Sequence, residues 1–342
     1  MVFDEHNHSA FYFLLYSNCK MVRGASQSTI CDLFRNRYYL IPDVMYTILS
    51  EFKNDKIGDI LTKYESEKEG IIKFLDFFIE NDWGFITDTP ENFPDMSDEW
   101  DAPTIITNAV IDYNETSTYD ILEVLEQLAD MGCEAVQMRF FSLRDKQLII
   151  ELYEKIEGFF HYTELITKYD EYIVEYIHNN CMTKSSFQKA YYFGAPLNSS
   201  NTIITDNCMY LEEIFLTKHI VDSDCCGVVS MKYFAPTIDM FMESLNHNSC
   251  LNRKIGVDIH GNIKNCPSSK KSYGHVSNTL LKDTVNNDFK ELWSLNKNQI
   301  DTCKICEYRM ICTDCRVFIE DPQNIRSKPA KCNYDPITTV WK

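Results

Sequence analysis

A chain of 342 residues with 44% hydrophobic and 25% charged residues has the composition of a globular protein with two or three domains. Its net charge of −18 repels phosphate backbones and so argues against nucleic-acid binding. The apolar runs are shorter than the roughly 20 residues of a membrane helix, and the acidic N-terminus does not fit a signal peptide. We therefore expect a cytoplasmic protein that binds neither nucleic acid nor membrane.

Residues 1–90 are predicted to form a small domain of strands and helices. Pro42 and Asp43 favour the start of a helix, DVMYTILSEF, because proline suits the first turn and aspartate suits the helix dipole. KIGDILTKY and EKEGIIKFLDFFIEND have the apolar spacing of two further helices. Together with the short strands, these helices indicate a winged-helix-like unit. The predicted strands are FYFLLYS, segments of KMVRGASQSTICDLF, 37–41 and 85–87.

An acidic, proline-containing linker is predicted at 91–102, and strands alternate with helices from 103 to 247. Such alternation favours parallel βαβ units, and the segment is too short for a closed eight-fold barrel, which typically needs roughly 250 residues. We therefore expect an α/β fold with an open, partial (β/α) barrel. The predicted strands are 104–111, 134–140, part of FHYTELITKY, 187–193, 201–205 and 226–231, and the predicted helices are 118–131, 145–157 and one that ends at 179.

Cysteine is frequent, with fourteen residues in a chain expected in a reducing compartment, where structural disulfides are rare. Seven of them lie in the last quarter of the chain at short, ordered spacings, which favours metal binding. Thiolates are soft ligands that suit iron–sulfur clusters or zinc. The run IGVDIHGNIKNC predicts a β-hairpin with its cysteine just past the second strand. The pattern comprises Cys250, Gly261, Cys266, Cys303-x2-Cys306-x5-Cys312-x2-Cys315 and Cys332.

The segments CLNRKIGVDIHGNIKNCPS and CKICEYRMICTDCR resemble SPASM domains, which usually hold auxiliary iron–sulfur clusters in peptide-modifying enzymes. The resemblance implies a SPASM domain at 248–342 with one or two 4Fe-4S clusters. By this resemblance, the second cluster is held by Cys303, Cys306, Cys312 and Cys332. The first is held by Cys250, Cys266 and Cys315, with Cys226 as the candidate fourth ligand. The family usually has three residues between the third and fourth cysteines of this run, whereas this chain has two, between Cys312 and Cys315. A zinc-ribbon-like fold with the same thiolates is the alternative.

The cysteine triad that binds S-adenosylmethionine in radical enzymes of this kind, C-x3-C-x2-C, does not occur in the chain. The first predicted barrel strand, in TIITNAVIDYNETSTYD, has no cysteine at all. After the second strand, residues 137–142 stand where such enzymes have a Gly-Gly-Glu-type motif for the cofactor's amino group. We therefore expect no S-adenosylmethionine, no radical chemistry and no catalytic residue for it on this chain.

The region 37–87 resembles the peptide-recognition element of ribosomal-peptide maturation systems, a winged-helix fold that binds a leader peptide as an added strand. RYYLIPDVMYTIL fits its strand-to-helix step, and GIIKFLDFFIENDWGFIT fits its last helix and wing. The resemblance implies a groove between that strand and that helix. Ordinary core packing is the alternative for Leu40 and Phe74, and the acidic charge opposes a DNA-binding winged helix. The predicted peptide-binding residues are Tyr38, Tyr39, Leu40, Lys73 and Phe74.

Nearly the whole chain resembles the SPASM-domain peptide maturases of grasp-with-spasm systems, which mature ribosomally synthesised, post-translationally modified peptides (graspetides). The resemblance implies two partners, a precursor peptide and an ATP-grasp ligase that forms ester or amide cross-links. This chain has no G-x4-G-K-[ST] nucleotide-binding loop. Three functions remain open: a non-catalytic partner that binds and presents the precursor, a redox or Lewis-acid enzyme acting through an auxiliary cluster, and a zinc-binding structural protein. The missing cofactor loop favours the first.

Overall fold

The structure, a computed structural model, describes residues 5–142, 146–204 and 210–342. It is a mixed α/β protein built around a large, mostly parallel sheet, as the sequence predicts. Asp145 at the start of a predicted helix, Thr205 at the end of a predicted strand, and Cys208 lie outside the described residues. In the parts of the chain that are described, no helix has both the length and the apolar character needed to span a membrane.

The N-terminal unit follows the predicted order of strands and helices. Its elements are α1 Glu5–His8, β1 Tyr12–Leu15, β2 Cys19–Arg23, β3 Gln27–Asp32, β4 Arg37–Pro42, α2 Asp43–Phe52, α3 Ile57–Lys63, α4 Lys68–Glu80 and β5 Gly84–Thr87. Pro42 has extended backbone angles and directly precedes α2, as a residue that fixes φ should. α2 buries Met45, Ile48, Leu49 and Phe52, which lie on one helical face. Local sequence signals therefore determine these elements.

Two small antiparallel sheets make up the strands of this unit. One has the order β2-β3-β4, so β4 is an edge strand of this sheet. The other pairs β1 with β5. A turn at Ser17 and Asn18 joins β1 to β2, and these two strands belong to different sheets. Helices α2, α3 and α4 cover one side of both sheets around a shared apolar core.

The central sheet begins with the strand that starts at residue 108. Its elements are β6 Asn108–Tyr113, α5 Ile121–Asp130, β7 Ala135–Phe140, α6 Gln147–Lys155, β8 Tyr162–Lys168, α7 Glu171–Asn180, β9 Lys189–Phe193, β10 Ser199–Ile204, β11 Tyr210–Leu216, α8 Ile238–Asn246, β12 Lys254–Val257 and β13 Ile263–Lys264. Within the described residues, the strand order is β10-β11-β9-β8-β7-β6-β12-β13. The pairs from β12 across to β11 are parallel, and β10 and β13 close the two ends as antiparallel strands. The sheet is open. Helices α5, α6 and α7 connect the parallel strands from β6 to β9, and β10 lies between the parallel strands β9 and β11 in the chain.

The two faces of this sheet differ in polarity. Helices α5, α6 and α7 pack on one face against apolar residues such as Ile111, Met138 and Leu165, all of them fully buried. The opposite face carries the alternate residues of the same strands, including Asp112, Arg139 and Glu164. This polar face lies next to the cysteine-rich part of the chain.

Two strand predictions in this region fail for identifiable reasons. The first strand begins at Asn108 rather than at 104, and the predicted strand at 226–231 is wrong. Gly227 has a left-handed φ of 75°, which ends an extended run there, and a Cβ atom at this position would lie 3.0 Å from Cys315 Sγ. The sequence does not predict β11, because Glu212 and Glu213 interrupt its apolar pattern.

The C-terminal part has little regular structure beyond the predicted β12–β13 hairpin. Its remaining elements are α9 Leu281–Thr284, β14 Tyr334–Asp335 and β15 Val340–Trp341. β12 pairs with β6 in parallel, so the central sheet continues across residue 248 into the cysteine-rich segment. Cys266 follows the hairpin directly, which brings a thiol to the sheet edge.

The N-terminal sheet packs directly on the cysteine-rich segment. Val22 and Cys31 share a buried cluster with Tyr308 and Ile311. The Thr29 hydroxyl donates to the backbone carbonyl of Glu307 at 2.8 Å, and Gln27 Nε2 donates to the Glu307 carboxylate at 2.6 Å. The two ends of the chain therefore form one packed structure.

Candidate metal centres

The four thiols assigned to the first cluster surround one cavity of about 510 Å³. Cys226 comes from the loop before α8, Cys250 and Cys266 flank the β12–β13 hairpin, and Cys315 comes from the C-terminal loops. The close approach of Gly227 to Cys315 shows how the Cys226 loop reaches the others. The structure thus gathers four sequence-distant thiols, including the candidate fourth ligand.

Two basic side chains contact thiols of this first set. Lys254 Nζ donates to Cys250 Sγ at 3.3 Å, and Arg139 Nη1 donates to Cys226 Sγ at 2.7 Å. Cys225 shares a hydrogen bond with Cys226 and, together with Arg139 and Lys254, lowers the pKa of the Cys226 thiol. Positive charge beside the thiols stabilises thiolates, the form that binds a metal.

Arg139 is held in place by a buried carboxylate. It is 2% exposed, and its Nε and Nη2 atoms donate to the two oxygens of Asp112 at 2.6 and 2.9 Å. Burial raises the pKa of Asp112 to about 6, although Arg139 opposes the shift. At neutral pH this remains an ion pair in bidentate geometry, which fixes the guanidinium that contacts Cys226.

The second set, Cys303, Cys306, Cys312 and Cys332, lines a much smaller cavity of about 20 Å³. Lys297 also lines it and is 3% exposed. Burial alone would lower the pKa of Lys297, but the thiols of Cys312 and Cys303 and the carboxylate of Asp314 raise it. Each cysteine set therefore has one lysine ammonium beside it, half-buried for Lys254 and buried for Lys297.

A buried polar network lies between the two sets. Asp314, between Cys312 and Cys315 in sequence, pairs with Arg316 at 2.6 Å and accepts a hydrogen bond from Asn248 Nδ2 at 2.9 Å. The other end of the Asn248 side chain accepts from the backbone N–H of Cys250 at 3.0 Å. This network links the segments that carry both sets and limits their relative movement.

The free thiols are mostly protonated at neutral pH, because burial raises the pKa of Cys266 to about 11 and that of Cys303 to about 12. A bound metal would displace these protons.

Among the described residues, no three His, Cys, Asp or Glu side chains are close enough to hold one metal ion. A single zinc ion needs thiolates at about 2.3 Å from it, whereas a four-iron cluster spaces its ligands more widely. The first set offers four thiol donors around a cavity of about 510 Å³, which is the donor chemistry that such a cluster needs. The cavity of the second set, about 20 Å³, has room for about one water molecule.

The predicted peptide-binding residues divide between two faces of β4. Tyr39 is 43% exposed, and its ring centroid lies 4.7 Å from that of Phe77 on α4. Phe74 is partly buried in the same helical face, and Lys73 is exposed. These three residues border the strand–helix region where the resemblance implies a groove.

Tyr38 and Leu40 point to the other side of β4. The Tyr38 ring lies 5.8 Å from Tyr308 and 6.1 Å from Phe234, in the cluster that joins the N-terminal sheet to the cysteine-rich segment. Leu40 is 38% exposed. A strand added to the edge of β4 could contact both faces, although Tyr38 is already packed.

Sequence reasoning did not identify the charged residues of the site, namely Asp112, Arg139, Lys254 and Lys297. Asp112 and Arg139 each interrupt an apolar strand, in AVIDY and QMRFF, and this is the signal that could have found them. Further polar pairs continue from the first cavity along the open face of the sheet. In one pair, Gln137 Nε2 donates a hydrogen bond to Glu164 Oε1 at 2.6 Å; in the other, Lys189 Nζ and Glu212 Oε2 form an ion pair at 2.9 Å.

No protein-family model matches the chain. No curated protein matches it either. Among solved structures, Streptococcus suis SuiB bound to S-adenosylmethionine resembles it with a TM-score of 0.33 and 9% identity, over 93% of this chain and 98% of SuiB. SuiB alone resembles it with a TM-score of 0.32 and 9% identity, over 96% of this chain and 99% of SuiB. SuiB bound to precursor peptide SuiA resembles it with a TM-score of 0.31 and 8% identity, over 92% of this chain and 98% of SuiB. Similarities this weak do not assign the chain to a family.

Proposed function

We propose that this chain holds one or two 4Fe-4S clusters in its cysteine sets and takes part in the maturation of a ribosomally made peptide. It would bind the leader of the precursor and present the peptide to a partner ATP-grasp ligase. The observation that carries the proposal is the convergence of eight cysteines on two sites, each beside a lysine, with the second site packed against the N-terminal sheet.

The donor chemistry supports an anionic metal–thiolate centre. Four thiolates around a cluster leave net negative charge, and a buried lysine or arginine beside them offsets it. Lys254 and Arg139 do this at the first set, and Lys297 does it at the second. The carboxylates of Asp112 and Asp314 already face Arg139 and Lys297, and thiolates that bind metal would add further negative charge beside the same cations.

The free edge of β4 supports peptide recognition. An edge strand offers unpaired N–H and C=O groups to an added strand, and neighbouring side chains provide selectivity. β4 pairs with β3 on one side, with Tyr39 opposite Ile30, and exposes Tyr39 beside the aromatic face of α4.

Metal content of protein purified without oxygen tests the first half of the proposal. We expect a brown protein with sulfide and about four irons per occupied set. Cys315→Ser should remove the iron of the first set and Cys306→Ser that of the second, whereas Cys133→Ser, in the helix–sheet core, should remove none. Colourless protein with about one zinc per chain and no iron would favour the structural zinc protein instead.

Leader binding by the full-length chain tests the second half. Tyr39→Pro removes a backbone donor from β4 and should weaken binding of a fluorescently labelled precursor peptide, measured by anisotropy. Phe34→Ser, at a residue that is 77% exposed in the same unit, serves as the control. Circular dichroism must show that the proline variant is folded. Unchanged affinity in a folded Tyr39→Pro variant would place recognition elsewhere.

A redox or Lewis-acid role is a second candidate, favoured by the first cavity. Its volume of about 510 Å³ is larger than the volume of the second cavity, about 20 Å³. Gln137 and Glu164, on the polar face of the central sheet, form part of its lining. A cluster held by only three of the four thiols would leave one iron open to this cavity, where it could bind a substrate oxygen. Addition of precursor peptide should then change the electron paramagnetic resonance signal of the first cluster, and an unchanged signal with bound peptide would argue against this role.

A further inference from the structure

A second large groove lies in the N-terminal unit, away from both cysteine sets. Its volume is about 920 Å³, and its walls come from β1, β2, α2 and the segment 90–98. We call it the β1–β2 groove and call residues 90–98 the strap. Its size is at the upper end of the range for ligand sites in proteins.

Two unpaired strand edges border the β1–β2 groove. In the described sheets, β1 pairs with β5 and β2 pairs with β3, while β1 and β2 do not pair with each other. Residues of both strands, among them Leu14 and Met21, line the groove. Backbone groups on such edges lack strand partners, and an extended peptide is the ligand that supplies them.

The strap closes the groove through charged and aromatic contacts. Lys20 Nζ lies 3.1 Å from Asp98 Oδ1 and donates to the Met96 carbonyl at 3.2 Å. Lys53 pairs with Asp95 on the opposite side. The strap has one short 3₁₀ turn at Pro90–Asn92 and no strand pairing.

These contacts are of a kind that releases easily. The side chains of Lys53 and Asp95 are 60% and 66% exposed, and exposed ion pairs contribute little to stability. The aromatic contact, with ring centroids of Phe93 and Phe85 4.7 Å apart, involves a Phe93 side chain that is 50% exposed. The strap therefore covers the groove mainly through exposed contacts, and Met96 is its one side chain that packs, partly buried, against the cluster of Val22 and Tyr308.

We propose that the β1–β2 groove binds an extended acidic peptide, which takes the place of the strap on Lys20 and Lys53. The strap itself shows the recognition pattern: an aromatic residue, an acid two positions later and a second acid three positions after that, as in Phe93, Asp95 and Asp98. Lys53 and Lys20 bind the two acids. This goes beyond the proposed function, because the groove lies at the edge of β2, across the sheet from β4, and needs neither metal nor ligase.

A peptide with the strap's own sequence provides the probe. A fluorescently labelled TPENFPDMSDE peptide, residues 89–99, should bind weakly to the full-length chain, because the tethered strap competes at high effective concentration. A full-length variant with Phe93, Asp95 and Asp98 all changed to serine should bind it at least about tenfold more tightly. Lys20→Glu and Lys53→Glu, added to that variant, should abolish binding. A probe with both aspartates changed to asparagine should lose affinity as well.

Absence of binding to a folded triple-serine variant would overturn the proposal and make the strap a fixed cover. If the variant does not fold, hydrogen exchange of the wild-type chain, measured with and without the probe, tests the proposal instead. Excess probe should then speed amide exchange in residues 90–98 and slow it in β1 and β2. Unchanged exchange at saturating probe, or binding that survives the two lysine substitutions, would equally contradict the proposal. Neither result depends on iron content or on Tyr39, so failure here leaves the proposed function standing.

Discussion

Replacing Asp112 with leucine should destabilise the central sheet more than any surface substitution, because it leaves the Arg139 guanidinium buried without its carboxylate. The two side chains are 5% and 2% exposed and share hydrogen bonds of 2.6 and 2.9 Å. Removal of one partner from such a pair costs about 3–5 kcal/mol. Cys226 offers Arg139 one remaining acceptor, so the lower half of this range is the expectation.

The double variant Asp112→Leu/Arg139→Met should recover most of the loss. Burial raises the pKa of Asp112 to about 6 even beside Arg139, so ionisation of this carboxyl opposes folding at neutral pH. Apolar residues of similar size avoid that cost, and such replacements are often neutral or stabilising by about 1–4 kcal/mol. The double variant should therefore be more stable than the Asp112→Leu single variant.

Hydrogen exchange in β6 and β7, with urea unfolding followed by circular dichroism, measures these differences locally and globally. Lys271→Met is the matched control, since Lys271 and Asp288 form an ion pair with side chains 48% and 62% exposed, and no measurable loss is expected there. A double variant as unstable as the sum of its single variants would refute the reasoning. It would show that Asp112 and Arg139 act independently.

Three further predictions follow from other contacts. Lys297→Met should lower the midpoint potential of a cluster in the second set, measured by redox titration. Reduction adds negative charge to the cluster, and without the ammonium of Lys297 that charge is less well stabilised. Lys290→Met is the control. Burial would raise the pKa of Asp32, but hydrogen bonds from Arg35 and Arg37 lower this pKa overall in the folded protein. The ionised carboxylate therefore stabilises the fold above pH 3.8, the ordinary pKa of aspartate, and this stabilisation is lost as the pH falls through the lower pKa of the folded state. Asp32→Asn should flatten that part of the acid-unfolding curve. Val22→Asp, which buries a charge in the cluster around Tyr308, should speed chelator removal of metal from the second set at least about tenfold while sparing the first.

Local signals in the sequence account for the parts of the fold that it predicts. DVMYTILSEF is helical between the predicted ends because Pro42 and Asp43 define its start and its apolar residues share one face. The β12–β13 hairpin likewise follows from alternation around a glycine turn. By contrast, Val228 and Val229 look like part of a strand, but the left-handed backbone of Gly227 and its contact with Cys315 prevent one. That contact joins residues that are far apart in the chain, so no local pattern encodes it.

The candidate site shows the same division. The family resemblance divides the cysteines into two sets, and each set lines one cavity of the folded chain. The buried charges could not be found in this way. Lys254 and Lys297 lie in ordinary polar sequence, and only the folded chain places each beside thiols while excluding water. Burial of a charged group depends on tertiary packing, which periodicity does not encode.

The packing of the N-terminal sheet on the second cysteine set connects the two halves of the proposed function. Thr29 and Gln27 bind Glu307, which follows Cys306, and Tyr38 on β4 packs on Tyr308. A peptide that adds to the edge of β4 would therefore act on a strand that already contacts the segment between two proposed metal ligands. Any difference in peptide affinity between metal-loaded and metal-free protein must be matched by an equal difference in metal affinity with and without peptide. The shared core also means that residues 1–90 in isolation would expose Val22, Cys31 and Tyr38, so the proposed peptide binding must be measured on the full-length chain.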